Sequence, residues 1–465
     1  MISPLSRRAA DLAAARLTAT DPKVTGEWSS PLSWRQPIHT VYIPASTFFL
    51  DATPHPPHTL PQRWGQQIVD VLQERAGESA SAADAARDLA ESLGVEDPQR
   101  VASLAVDKLL REPIEDVRID FEDGFTQRGV PSERRDQQES DFAARAADLL
   151  ADWLLDGGTG VPPFCGIRFK SFDPLVRERG IDTLITVLTG LHERGVLQAL
   201  YRPDSPRFDP RALRLTFPKV QDTSQVEALV EILQMLEAEW GLDARGVQIR
   251  FEIQVETPQA VIGDDGLVEA ARMIKAAQGR CLSLHYGTYD YSAFLGVDPA
   301  QQSMEHPVAD TAKGLLQVVA RGHGVELSDG STNRIPVGSS AAMEQAWALH
   351  YRLVTRHLTR GIRQGWDLHP HQLITRHLAT IAYFRRDWEL SARRLKAYVA
   401  GDTSEWMDEP ATAKMLASFL RRAHACGAIA DAEVRTAGVT AGQLVQLEAT
   451  GRLTDHPTDH LTNQE

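Results

Sequence analysis

Short strand-like runs alternating with longer helix-period stretches predict an α/β fold, a (β/α)8 TIM barrel with helical additions. Three observations carry that prediction. Eight short runs, each bounded by turn or breaker residues, recur along the chain. The segments between them place apolar residues at helical spacing. The span from Val41 to His369 has room for the ~250 residues of such a barrel plus insertions.

The runs are His39–Pro44 (HTVYIP), 117–121 (VRIDF), 166–170 (GIRFK), 214–219 (RLTFPK), 248–255 (QIRFEIQV) and 281–286 (CLSLHY), with two weaker ones at 325–328 (VELS) and 365–369 (GWDLH). Residues 143–155 and 224–240 read as helices, the second behind a Ser224 cap. Between the first two strands, residues 61–115 read as a helical insertion. Residues 1–36 form an N-terminal helical segment, the barrel spans 37–385, and 386–465 make a C-terminal helical extension or lid whose last dozen residues look frayed.

Composition narrows the function. The 465 residues are 42% hydrophobic and 24% charged, with a net charge of −14, which speaks against nucleic acid or an anionic membrane as partner. Cys165, Cys281 and Cys426 are widely spaced and form no CxxC pair, so a disulfide framework or structural zinc is not expected. No run approaches the ~20 apolar residues of a membrane span. Asp11 and Arg16 interrupt the apolar stretch behind Arg7 and Arg8, which reads as an amphipathic helix and not a secretory leader. A cytoplasmic location is the expectation.

Charged residues at the C-terminal ends of barrel strands need a reason, because active sites of this fold sit there. The second run leads into Asp120-Phe121-Glu122-Asp123-Gly124, the third carries Arg168 and Lys170, and the fourth ends at Pro218-Lys219. The fifth ends at Glu256-Thr257-Pro258, and the sixth runs through Gly287 to Asp290. A single such carboxylate is commonly a helix cap or an ion-pair partner. Several at one mouth repel each other unless a cation lies among them, and oxygen-only donors favour Mg2+ or Mn2+. Arg168 beside them suits a substrate carboxylate or developing oxyanion, and together they suit enolate chemistry.

At these residues the chain resembles the HpcH/HpaI aldolase and citrate lyase β-subunit family of the phosphoenolpyruvate/pyruvate barrel superfamily. Val41 to Ser46 is similar to the family's opening strand, and Asp120 to Gly124 to its D-L-E-D-A/G motif. Arg168 stands at R-x-N, Pro218-Lys219-Val220 at P-K-V, Glu256-Thr257-Pro258 at I-E-T-P, and Gly287 with Asp290 and Tyr291 at G-x-x-D-Y/L. His369 to Gln372 resembles H-P-x-Q, and Met407 to Pro410 resembles M-I/V-D-x-P.

The resemblance implies a Mg2+-dependent carbon–carbon lyase acting on a 2-oxo or 2-hydroxy acid or its CoA thioester. Glu256 and Asp290 would be the metal ligands. Arg168, Asp123 and Asp408 would be catalytic, Asp408 arriving on a lid from a neighbouring subunit of a homo-oligomer, commonly a trimer or its multiple. Arg168, Glu122, Lys170 and Gly287 would contact substrate, with Asp120 in support. Lys170 departs from the motif's Asn, and the 61–115 insertion sets the chain apart from compact relatives. Four other readings stand beside this one: an acyl-CoA lyase or malate-synthase-like condensing or thioester-hydrolysing enzyme, a Schiff-base aldolase using Lys170 or Lys219, a phosphoryl-transfer enzyme, and a non-catalytic barrel that serves as a binding module.

Overall fold

The computed structural model describes residues 4–19, 35–50, 56–125, 132–158, 160–205 and 208–453; the terminal dozen, 454–465, lie outside them. Eight parallel strands follow one another around a barrel: β1 His39–Pro44, β2 Asp116–Asp120, β3 Phe164–Arg168, β4 Leu213–Phe217, β5 Phe251–Val255, β6 Cys281–Tyr286, β7 Glu326–Ser328 and β8 Gly365–Asp367. β8 pairs with β1, and β7 meets β8's approach through a bridge at Ser328 and Gln364. The backbone bonds Asp329 N to Gln364 O (2.9 Å) and Trp366 N to Gly330 O (3.1 Å) complete the closure. All eight sequence-predicted strands are present.

Parallel strands buried on both faces usually read as continuous apolar runs. These alternate instead. Val117 and Ile119, Leu213 and Leu215, Ile253 and Val255 are buried and belong to the main hydrophobic cluster, which lies between strands and surrounding helices. The intervening residues face the lumen and meet across it. Arg118 on β2 bonds Glu252 on β5 at 2.6 Å, Arg214 on β4 bonds Glu326 on β7 at 3.0 Å, and Trp366 on β8 donates to His285 on β6 at 3.1 Å. The lumen is thus an ionic network where barrels of this type commonly hold branched apolar side chains.

The helix expected over 143–155 runs Ser132–Asp156. The one expected over 224–240 is Thr223–Glu239, and its cap is Asp222, whose carboxylate accepts from Ser224 N at 2.8 Å. Ser224 is therefore inside the helix and not its cap. The insertion folds as three helices, Leu60–Ala76, Ala82–Ser92 and Pro98–Arg111. The last of them packs on the long helix Leu373–Ala400, which passes through the boundary expected at residue 385 without a break.

That helix leaves β8 at the mouth and, at 1.5 Å per residue, runs about 42 Å, well beyond the barrel's base. The helix Pro410–Ala425 doubles back along it. Its end sits beside Arg35, Glu115 and Arg363, which precede β1, β2 and β8. Within the chain, the C-terminal helices therefore cover the base of the barrel and not its mouth. No described helix is long and apolar enough to cross a membrane.

Candidate active site

The mouth is organised by a register. Asp120 and Arg168 are directly paired residues at the ends of β2 and β3, so their side chains share the inner face. Arg168 donates from Nε and Nη2 to the two oxygens of Asp120, both at 2.7 Å. The same carboxylate accepts from Glu122 N and Gly124 N at 3.0 Å each, which shapes the turn after β2. A side-chain carbon at residue 124 would collide with Asp120 Oδ2, so glycine is required there. Arg168 lies over the Tyr42 ring at 4.7 Å, and its remaining nitrogen, Nη1, stands 3.5 Å from Glu122. The guanidinium fork is thus held by the protein, and Nη1 is the group left facing outward chemistry.

A second cation gathers the other carboxylates. Lys219, after β4, has φ of 51°, a left-handed backbone uncommon for lysine. That conformation lets its backbone N–H donate to Glu256 at 3.0 Å while its ammonium contacts Asp123 at 2.7 Å, Glu122 at 2.9 Å and Asp290 at 3.5 Å. Glu256 follows β5 and is buried; Asp290 is half-exposed in the first turn of the helix Thr288–Phe294. Gly287 leaves room for Glu256, since a Cβ there would strike its side chain.

Charge is unevenly balanced here. Among the described residues, Asp120, Glu122, Asp123, Glu256 and Asp290 face two cations, Arg168 and Lys219. Burial, then Glu122 and Asp290, push the Glu256 carboxyl up to about 8 against the pull of Arg168 and Lys219. Burial also raises Glu122, although Arg168 and Lys219 oppose it. For Asp123 burial is outweighed by the Lys219 hydrogen bond and charge, so its carboxyl lies below the usual range.

Glu256 and Asp290 are among the carboxylates here that could hold a hard divalent ion. Their oxygen donors and the surplus negative charge fit Mg2+ or Mn2+, which takes one or two carboxylates and keeps several waters. Among the described residues no group of three His, Cys, Asp or Glu side chains forms a ready-made metal cage.

Two expected site residues are not brought to the cluster. Lys170 turns away, donating to Phe121 O at 2.8 Å and Glu139 at 2.6 Å; its ionic partner is Glu139 and not Glu122 or Asp123. Asp408 is held by Arg394 at 2.5 and 3.1 Å, and Arg394 lies about 30 Å along its helix from the mouth end. His369 accepts from His371 N at 3.2 Å and caps the turn Pro370–Gln372.

The site also has a floor that sequence reading missed. Tyr42 OH lies 3.3 Å from His285 Nδ1, and Trp366 Nε1 donates to that same nitrogen. Inward parity on β1, β6 and β8 was the available signal.

A family model described as a domain of unknown function, DUF6986, matches residues 17–452. The chain belongs to this family. No curated protein matches the DUF6986 chain. Solved structures similar to it include Haloferax volcanii malate synthase in a magnesium/glyoxylate complex, at 14% identity over 89% of this chain and 97% of that one, with a TM-score of 0.44. Mycobacterium tuberculosis CitE in complex with magnesium, acetoacetate and coenzyme A is 14% identical over 85% of this chain and 98% of that one, with a TM-score of 0.42. The citrate lyase beta subunit from M. tuberculosis, complexed with oxaloacetate and magnesium, is 13% identical over 75% and 98%, with a TM-score of 0.38.

Proposed function

We propose that this mouth is the active site of a Mg2+-dependent carbon–carbon lyase that works through an enolate of a 2-oxo acid or a CoA thioester. One observation supports the reading above the others. Glu122, Asp123, Glu256 and Asp290 converge around Lys219 beside an arginine whose fork is already fixed, leaving negative charge that two cations do not offset. A structural ion network of this fold has no need of such a surplus.

Glu256 and Asp290 would hold the metal, which when bound supplies Lewis-acid polarisation of a substrate carbonyl. Arg168, immobilised by Asp120 and the Tyr42 ring, presents Nη1 to a substrate carboxylate or to oxyanion charge as it develops. Glu122 and Asp123, bonded to Lys219, position water and substrate at the rim. Gly287 admits the Glu256 side chain and so sets the depth of the pocket. Asp408 enters this scheme only from a second copy of the chain, because its own chain holds it far from the mouth.

The Schiff-base alternative loses ground on Lys219. Burial alone would lower its affinity for a proton, but Glu122 and Asp123 raise it well above the ordinary lysine value, which keeps the amine charged and non-nucleophilic.

Deuterium exchange read by proton NMR tests the proposal. Pyruvate and acetyl-CoA are incubated separately with the protein in D2O, with Mg2+ and then with EDTA, the acetyl-CoA arm also with glyoxylate. Metal-dependent loss of the pyruvate methyl signal supports the free-acid aldolase. Exchange of acetyl-CoA alone supports the thioester form. Exchange of neither would overturn the enolate chemistry.

A further inference from the structure

At the opposite end of the barrel, a small cavity of about 20 Å3 lies between the strand approaches and the C-terminal helices. Four arginines line it: Arg35 before β1, Arg363 before β8, and Arg421 and Arg422 from the helix Pro410–Ala425. The Nε–H groups of Arg35, Arg363 and Arg422 are buried, and none has an acceptor among the described residues. A buried donor without an acceptor costs about 1–3 kcal/mol, and more on a charged group. Three around one cavity is an arrangement that an anion would complete.

The acidic groups nearby are already committed. Glu115, the carboxylate lining the cavity, is bonded to Lys108 at 2.7 Å and paired with Arg35 at 2.9 Å. Glu448 pairs with Arg421. Arg363 spends Nη1 on Leu358 O at 3.1 Å and stacks over Tyr383. The Arg422 guanidinium has neither a hydrogen bond nor an ion pair among the described residues. Burial, then Arg321 and Arg363, push it down to about 9 despite Glu448. Arg321 and Arg363 thus add to the burial that disfavours the Arg422 charge, and Glu448 opposes them only in part.

We propose that this cavity binds a small oxyanion of the phosphate or sulfate type, which ties the C-terminal helices to the base of the barrel. Guanidinium donors arriving from the barrel and from the Pro410–Ala425 helix would bond one anion between them, each N–H donating to its oxygens. The same chemistry could come from inorganic phosphate or from the phosphoryl end of a phosphomonoester. The proposal is independent of the reaction at the mouth.

Calorimetry and thermal unfolding of the full chain test it, with inorganic phosphate and glycerol 3-phosphate titrated separately at ionic strength fixed with chloride. The expected result is saturable binding with a rise in Tm, and a Kd at least tenfold weaker in both Arg422→Met and Arg363→Met. Without phosphate, Arg422→Met should unfold at or above the wild-type Tm, because it removes an unpaired buried charge. Binding of phosphate alone identifies the free ion as the source; comparable binding of glycerol 3-phosphate identifies a phosphomonoester. Should Arg422→Met not fold, Arg363→Met gives the same reading. No saturable response in the wild type, or undiminished binding in the folded variants, overturns the proposal.

Discussion

The lumen and the mouth of this barrel are both lined by charged side chains, yet they are built differently. In the lumen Arg118 is shared by Asp116 and Glu252, Arg214 pairs with Glu252 and Glu326, and Arg211 lies 3.6 Å from Glu326. Three cations meet three carboxylates. At the mouth, two cations meet five carboxylates among the described residues, and the buried Glu256 is driven toward its neutral form. The two regions therefore differ in charge balance.

That contrast can be broken most forcefully in the lumen. Arg118→Met leaves Asp116 and Glu252 buried without their cation, and truncating one partner of such a pair costs about 3–5 kcal/mol. Urea unfolding should show a loss of that size. Equal stability would mean that the network does not hold the barrel together.

At the mouth, Glu256→Gln should act in the opposite sense. Removing a carboxyl that resists ionisation should leave the urea midpoint unchanged or raised, while metal-dependent deuterium exchange falls at least a hundredfold. Loss of stability comparable to that of Arg118→Met would erase the distinction between the two regions.

Acid should weaken the balanced side of the molecule. Burial, with the Arg376 charge beside one and His39 beside the other, pushes His357 and His377 down to about 3. An unfolded histidine titrates near 6.5, so between these values the unfolded chain binds more protons. Stability is complete above about pH 6.5 and falls as pH drops, by about 1.4 kcal/mol per pH unit for each histidine. Chemical unfolding between pH 7 and 5 measures the slope, and His377→Gln should reduce it.

The smallest effect is expected from Asp408→Asn. It removes one partly buried pair with Arg394, and stability should change by about 1 kcal/mol or less. A large loss of turnover in that variant, restored by mixing it with Glu256→Gln subunits, would show that a second copy presents Asp408 to the mouth.

How far these regions were legible depended on distance along the chain. Short runs bounded by turn or breaker residues exposed the strands, and acidic or basic residues at their ends marked Glu122, Asp123, Arg168, Glu256 and Asp290. The fork between Asp120 and Arg168 was hidden because it depends on the β2–β3 register, which no local pattern states. The role of Lys219 was hidden by its positive φ, which lets one residue serve Glu256 through its backbone and three carboxylates through its side chain. The Lys170 contact was hidden because sequence position at a strand end does not say that Glu139, on a surrounding helix, pairs with the ammonium. The course of the C-terminal extension was hidden for a related reason: no local pattern states that Leu373–Ala400 runs past the base of the barrel before the helix Pro410–Ala425 packs back along it.

The central claim is that surplus carboxylate at the mouth is there to hold a divalent cation. Mn2+ titration followed by electron paramagnetic resonance, with Mg2+ as competitor, measures this without any assumed substrate. The account predicts one Mg2+-displaceable site in the wild type that is lost in both Glu256→Gln and Asp290→Asn and kept in Arg118→Lys. Wild-type Mn2+ affinity in Glu256→Gln, with the protein folded, would contradict it.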